Sequence, residues 1–284
     1  MSEILETVGE DFAGKLIKDF LRQKLSLSVT LIKKVKFGGV FVNGEVVTMR
    51  RLLCAGDKVR VVLPIGEESE HVEPIDMPLT VLYEDEYILV ADKPKNMPTH
   101  PSRYNSLPTL AELVRAHINA PFVFRAITRL DRDTSGIVLI AKDQLTASIL
   151  SADMKSGKIV KRYTALLSRA PEECEGIIDA PIEREAPDSI KRIVRADGKS
   201  SRTEYRLKRI LDDGRAICTF TPITGRTHQI RVHSAHINCP LYNDFLYGEK
   251  VEDGTYYLRC TYLSFQHPKT KELLRVSIED DFEF

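Results

Sequence analysis

Between positions 129 and 136 the chain reads Arg129-Leu130-Asp131-Arg132-Asp133-Thr134-Ser135-Gly136. Two arginines, two carboxylates and two hydroxyls in eight residues cannot be buried without pairing every charge, so the stretch belongs at a surface or along a polar cleft. A carboxylate in that setting can meet a developing positive charge by covalent attack, by stabilisation or by taking a proton. The apolar run that follows, Ile137 to Ala141, is bounded by Gly136 and by Lys142-Asp143 and has the length and branching of a strand buried on both faces. Catalytic groups concentrate on loops held by such strands. The same eight residues also suit an ion-paired turn with no chemistry.

Three further stretches carry side chains suited to such a cleft. Thr224-Gly225-Arg226-Thr227-His228-Gln229-Ile230-Arg231-Val232-His233 turns into a segment whose Ile230, His233 and Ile237 fall at helical spacing. His228, His233 and His236 have no carboxylate or thiol at ligand spacing, so no metal is expected. Lys161-Arg162-Tyr163 lies in a strand-like run from Ile159 to Leu167, where Tyr163 taken alone is a core tyrosine. His100, in Thr99-His100-Pro101, taken alone is a loop residue with a local hydrogen bond. No glycine-rich nucleotide loop is present, and no cofactor is expected.

These groups need a scaffold, and the chain from residue 79 to 284 is dense in strand patterns. Val81-Leu82-Tyr83 and Tyr87 to Ala91 flank a Glu84-Asp85-Glu86 turn, and Thr203 to Leu207 and Ala216 to Thr221 read as further strands. Ser106 to His117 reads as a helix with Pro108 in its first turn and Thr109 and Glu112 at capping-box spacing. Asp143 caps another, with Leu145, Ile149, Leu150 and Met154 inward and Gly157 at its end. The expected class is α+β, with a mixed, mainly antiparallel sheet and a cleft across it.

Residues 1–63 form a smaller α+β unit. A helical stripe of Leu16, Ile17, Phe20 and Leu21 lies between Gly14 and Arg22, and Ser28 caps a second helix containing Leu31, Ile32 and Val35. Asn43-Gly44 between β-branched runs marks a hairpin, and Lys58 to Val62 alternates as a strand. Residues 64–78, rich in Glu and bracketed by Pro64 and Pro74, read as an acidic linker.

Lys and Arg number 41, as do Asp and Glu, so the net charge is zero and alone argues against a polyanionic partner. The distribution reverses this, because a local basic face is what binds phosphate. Lys15, Lys18, Arg22, Lys33, Lys34 and Lys36 lie off the apolar stripes of the first unit, and a second basic belt runs from Lys191 through Arg192, Arg195, Lys199, Arg202 and Arg206 to Lys208 and Arg209. The five cysteines are widely spaced with no Cys-x-x-Cys pair, as packing residues in a reducing compartment would be. No apolar run approaches the roughly 20 residues of a membrane span, and the acidic start Met1 to Glu6 lacks the basic character of a signal peptide. The expected setting is the cytoplasm, without membrane association.

The Arg129 to Gly136 string resembles the signature of the RluA-type pseudouridine synthases, which isomerise chosen uridines in ribosomal or transfer RNA. Lys93-Pro94, His100-Pro101, Lys161-Arg162-Tyr163, Thr224 to His233, Tyr257-Leu258 and Phe265 to Pro268 resemble further segments of that family, in order, over nearly all of residues 80–284. In residues 1–63, two basic helices, Val42-Asn43-Gly44 and Gly56-Asp57 resemble the small RNA-binding fold named after ribosomal small-subunit protein four. Thr128 and Arg259 stand where the family commonly has His, and Asn96 and Asn243 where it commonly has Gly.

The resemblance implies an isomerase acting on ribosomal or transfer RNA with neither cofactor nor metal. Asp131 is implied as the essential carboxylate acting on a flipped-out uridine, and Tyr163 as the active-site tyrosine. Arg231 is implied as the cation paired with Asp131 at the cleft floor, because desolvation alone would favour the neutral carboxyl. Arg129 or Arg132 would fill the vacated stack or hold a flanking phosphate, with Arg226, His228, Gln229 and His100 around the substrate. The basic residues of the first unit would contact phosphate without reading sequence. A monomer is expected. The alternative is a non-catalytic RNA-binding or ribosome-assembly factor of the same fold; a metal-dependent phosphoester hydrolase using Asp131 and Asp133 would lose activity to a chelator, where a synthase would not.

Overall fold

The computed structural model describes residues 3–63, 72–102, 107–119, 123–251 and 254–280. Ser106 and residues 64–71 of the expected linker lie outside the described residues.

The first part folds as β1 (Glu3–Thr7), α1 (Ile17–Gln23), α2 (Val29–Val35), β2 (Val40–Val42), β3 (Glu45–Val46) and β4 (Lys58–Val62). Its antiparallel sheet has the order β1-β4-β2-β3. Ile17, Phe20 and Leu21 of α1 and Leu31 and Val35 of α2 are buried in one cluster with Val40, Val42, Val59 and Val61. Ser28 caps α2, its hydroxyl accepting from the Leu31 N–H at 3.1 Å. Asn43 and Gly44 take φ values of 52° and 89°, as a tight hairpin requires. The Asn43 amide then donates to Asp57 Oδ1 at 2.8 Å and its carbonyl accepts from the Lys58 N–H at 2.9 Å. The Val-Asn-Gly and Gly-Asp strings are two halves of one lock. Strand β1 was not anticipated, because Glu3 and Glu6 break its apolar pattern.

The second part comprises β5 (Thr80–Glu84), β6 (Ile88–Lys93), α3 (Leu110–Ile118), β7 (Arg125–Ala126), β8 (Ser135–Ala141), α4 (Gln144–Lys155), β9 (Val160–Leu167), β10 (Glu175–Asp179), β11 (Ile182–Arg184), β12 (Arg192–Val194), β13 (Arg202–Ile210), β14 (Ala216–Pro222), α5 (Gln229–His236), β15 (Leu258–Gln266) and β16 (Leu273–Ser277). The class is α+β. A ten-stranded sheet runs β10-β13-β14-β9-β15-β8-β6-β5, with β16 on β15 and β7 on β8, while β11 and β12 form a separate hairpin. Helix α3 starts after Pro108, at the Thr109–Glu112 capping box. No helix among the described residues is long and apolar enough to cross a membrane.

Strand β8 is buried along its whole length, as its composition requires. Burying each of Ile137, Val138, Leu139 and Ile140 contributes about 1.5–3 kcal/mol. Helix α4 covers this region and reaches the first part: Leu145 packs on the amino-terminal core, and Ser148 Oγ donates to the Ser26 carbonyl at 2.6 Å.

Only β8 and β15 pair in parallel among the described strands, and for two residues: Ser135 opposite Arg259 and Gly136 opposite Cys260. Gly136 takes φ +108°, and a Cβ there would overlap the Cys260 carbonyl oxygen and lie 2.6 Å from the Cys260 nitrogen. Gly136→Ala is therefore expected to cost about 3 kcal/mol or more in urea denaturation. Gly214→Ala, also at positive φ but with open space around it, should cost only about 1 kcal/mol. Equal losses would show that the seam tolerates a side chain.

Candidate active site

The loop between β7 and β8 is fixed before it reaches the cleft. Lys93, at the end of β6 and fully buried, donates to the carbonyls of Pro94 at 2.8 Å, Met97 at 2.7 Å and Arg132 at 3.0 Å. Burial pushes its ammonium down to about 7, against the opposing charges of Asp133 and Asp131. Thr99 Oγ1 donates to the Leu130 carbonyl at 2.9 Å, and Thr134 Oγ1 meets the Tyr256 hydroxyl at 3.3 Å. Asp131 is thereby presented from a stiff frame rather than from a free loop.

Asp131, Tyr163 and Arg231 line one cleft of about 520 Å³, together with His100, Arg129, Arg226, His228 and Gln229. Arg132 does not line it: its guanidinium folds back onto Asp133 through Nε at 3.0 Å and Nη2 at 2.9 Å. Gln229 is buried with its amide spent internally. Its oxygen accepts from Thr224 Oγ1 and the Arg226 N–H, and its nitrogen donates to the Arg202 carbonyl and Thr203 Oγ1. It shapes the loop before α5 and has no spare hydrogen bond for a ligand. His100 packs edge-on against Phe124, 5.0 Å between centroids.

The expected ion pair between Asp131 and Arg231 is not formed. Arg231 instead grips Asp244, Nε to Oδ2 and Nη2 to Oδ1, each at 2.7 Å, with both groups buried. Burial works against the guanidinium charge, but Asp244 more than offsets it and holds the group above its ordinary value. Arg231 lies 4.2 Å from the ring centroid of Tyr256 and 4.8 Å from that of Tyr247. A cation must have partners to be buried, and Arg231 finds them in one carboxylate and two aromatic faces.

The ion contact of Asp131 among the described residues is His228, Nε2 to Oδ2 at 4.0 Å. His228 is held at Nδ1 by its neighbours. The Arg192 backbone N–H donates to the Tyr247 hydroxyl at 2.9 Å, and that hydroxyl lies 2.7 Å from His228 Nδ1. With Tyr247 donating to Nδ1, His228 carries its proton on Nε2, which faces Asp131. Burial disfavours the charged imidazole, although Asp131 pulls the other way.

Tyr163 is buried on β9, and burial pushes its phenol well above 10, so it keeps its proton. It offers a ring and a hydroxyl but not a phenolate. Lys161 lies two residues earlier on the same strand face, also on the cleft lining, and burial lowers its ammonium. No three His, Cys, Asp or Glu among the described residues are arranged to hold a metal. His233 is fully buried: Nε2 donates to the Ala180 carbonyl at 3.0 Å and Nδ1 accepts from Thr203 Oγ1 at 2.8 Å.

In the first part Lys15, Lys18, Arg22, Lys33, Lys34 and Lys36 are all exposed. The neighbouring Phe37 is 83% exposed, under the Lys36 ammonium at 4.3 Å. Sequence reasoning had Lys93 and Lys161 only as members of motifs, without a role, and missed Asp244, Tyr247 and Tyr256. For Lys161 the alternation with Tyr163 was the available signal; for Asp244 and Tyr247 none was, since nothing local ties them to Arg231 or His228.

The family described as RNA pseudouridylate synthase matches residues 87–236. The chain is 38% identical over 258 residues to an uncharacterized RNA pseudouridine synthase of Bacillus subtilis, YjbO, covering 89% of this chain and 91% of that one. It is 34% identical to ribosomal large subunit pseudouridine synthase D of Xanthomonas campestris, over 93% and 82% of the two chains. Among solved structures, human RNA pseudouridylate synthase domain containing 1 superposes with a TM-score of 0.62 at 25% identity, over 76% of this chain and 88% of that one.

Burial favours the neutral form of His100, His228 and His233. The unfolded chain binds their protons first as pH falls below about 6.5, so stability is expected to drop from there downward. Each contributes a slope of at most about 1.4 kcal/mol per pH unit. Urea unfolding between pH 7 and 5 checks this, and His233→Gln, which can mimic the neutral donor–acceptor pair, should flatten the slope. An unchanged slope would contradict it.

Proposed function

The chain belongs to the RNA pseudouridylate synthase family, and on that premise we propose that it isomerises uridines of large-subunit ribosomal RNA through Asp131. The observation that carries this reading is the meeting of Asp131, Tyr163 and Arg231 in one cleft. Ribosomal RNA is favoured by the name of the Xanthomonas relative.

The reaction breaks the N1–C1′ bond, turns the uracil and forms the C5–C1′ bond; C5 gives up its proton to solvent and N1 takes one from solvent, so atoms balance with no net change in redox state. Asp131 meets the positive character that develops on the sugar as the first bond breaks. Tyr163 supports the detached uracil with its ring, and its hydroxyl takes the C5 proton as it gives its own to solvent in the cleft, so it never holds a negative charge. Arg231 supplies a fixed positive field, and His228 orients the carboxylate. Arg129, Arg226 and His100 contact the flipped nucleotide and its flanks. Residues 1–63 act as the RNA-binding unit, joined through residues 64–78 to a catalytic unit of 79–284, and the protein works as a monomer in the cytoplasm.

Wild type is expected to release tritium from ribosomal RNA labelled at uridine C5, and Asp131→Ala to release none. Tyr247→Phe keeps the ring beside Arg231 but frees the His228 tautomer, and should lower kcat about tenfold, the worth of one positioned hydrogen bond, with KM unchanged. Wild type that binds RNA yet releases no tritium would sink the catalytic reading.

A further inference from the structure

We propose that a second hollow, between hairpin β11–β12 and the loop ahead of α5, holds a backbone phosphate of the RNA strand entering the cleft. This rests on the reading of the chain as an RNA-acting enzyme and adds a site to it. The hollow measures about 300 Å³ and shares Gly225, Arg226 and Thr227 with the catalytic cleft. Its charged lining is Arg184, Arg192, Lys199 and Arg226 against one carboxylate, Glu183, whose Oε1 already accepts the Arg184 N–H at 2.8 Å.

Of the eight members of the second basic belt, Arg192 and Lys199 line the hollow, Arg209 lies outside it, and the other five are paired. Lys191, Arg195, Arg202, Arg206 and Lys208 are each within 4.0 Å of a carboxylate: Glu185, Asp197, Asp179, Glu175 and Asp280 respectively. None of the four cations of the hollow has such a partner among the described residues. Arg184, Arg192 and Arg226 rest on backbone carbonyls of Pro187, Ser189 and Ser200 instead. Compensated charges solvate a surface; uncompensated ones gathered in a concavity recruit an anion.

The fold also accepts a cost to gather them. Arg184 and Arg192 stand directly opposite one another across the hairpin, where like charges repel. Lys199 is brought beside them by reciprocal backbone bonds with Ile182 at 3.0 Å. That approach needs Gly198, where a Cβ would lie 2.8 Å from the Ile182 carbonyl carbon. The hollow is tied to the chemistry as well, because the Arg192 N–H anchors the Tyr247 hydroxyl that orients His228 toward Asp131. A phosphate seated here lies next to the reacting nucleotide and is not read for sequence.

The test uses the full chain and a fluorescein-labelled, uridine-rich single-stranded RNA, followed by anisotropy over a range of salt. Lys199→Gln combined with Arg184→Gln should raise Kd about tenfold near 0.1 M salt and lower the slope of log Kd against log salt by about 0.7 per cation removed. Arg195→Gln combined with Arg206→Gln removes the same formal charge from compensated positions and should leave both quantities close to wild type. Lys199→Gln alone should weaken binding, and Lys199→Arg, which keeps the charge, should bind as wild type does. A probe with uncharged methylphosphonate linkages should bind wild type and the first double variant alike. The proposal is overturned if the two double variants weaken binding equally, or if the uncharged probe still separates them. Neither outcome touches the tritium assay, so loss of this site and loss of the catalytic reading are told apart.

Discussion

Two halves of the large sheet are joined by the brief parallel contact of β15 with β8, and the site depends on how that contact is made. Gly136 lets the Cys260 backbone come closer than any side chain would allow. Pairing then continues in register on both sides, so that Phe220, Tyr163, Cys260, Gly136 and Lys93 form one row across β14, β9, β15, β8 and β6. Tyr163 and Lys93 are members of the row, and Asp131 lies five residues ahead of Gly136. The separation of the carboxylate from the tyrosine is thus set by strand spacing at the seam. After Cys260 a bulge opposite β9 turns β15 away to receive β16. Arg259 bonds Asp92 at 2.7 Å, linking β15 to β6 over β8 and reinforcing the short parallel contact.

Much of this was readable where the determinants are local. The buried strand β8, the Ser28, Thr109 and Asp143 caps and the Asn43-Gly44 hairpin are decided by neighbours within a few residues, and each forms. Departures from the family pattern also have local reasons. Asn96 and Asn243 take φ values of 55° and 61°, a region Asn enters more easily than other side-chain-bearing residues, so each does what a glycine would do there. Thr128 accepts the Leu139 N–H at 2.9 Å, which a histidine need not do.

What escaped the sequence is long in range. The partners of Arg231 and His228 lie on the loop after α5, and nothing in Leu241 to Gly248 distinguishes Asp244 from a surface carboxylate before the fold encloses it. Arg129 and Arg132 flank Asp131 almost symmetrically in sequence, yet only Arg129 reaches the cleft, because Asp133 is close enough to capture Arg132. The basic belt reads as one feature in sequence but is divided in space, since cross-strand and loop carboxylates neutralise five of its eight members.

The separation of Asp131 from Arg231 has a chemical logic of its own. On the proposed reading, a guanidinium gripping Asp131 through two nitrogens would occupy the oxygens that meet the sugar, and breaking that buried pair would be costly during the reaction. Giving the bidentate grip to Asp244 leaves a fixed positive charge near Asp131 without a bond to it. The two tyrosine faces against Arg231 keep water from the guanidinium, so its field is less screened than it would be at the surface. His228 turns Nε2 toward a single oxygen of Asp131, 4.0 Å away, a distance that leaves room to tighten when substrate arrives. Orientation comes from one residue and charge from another, and neither competes with the substrate for the carboxylate.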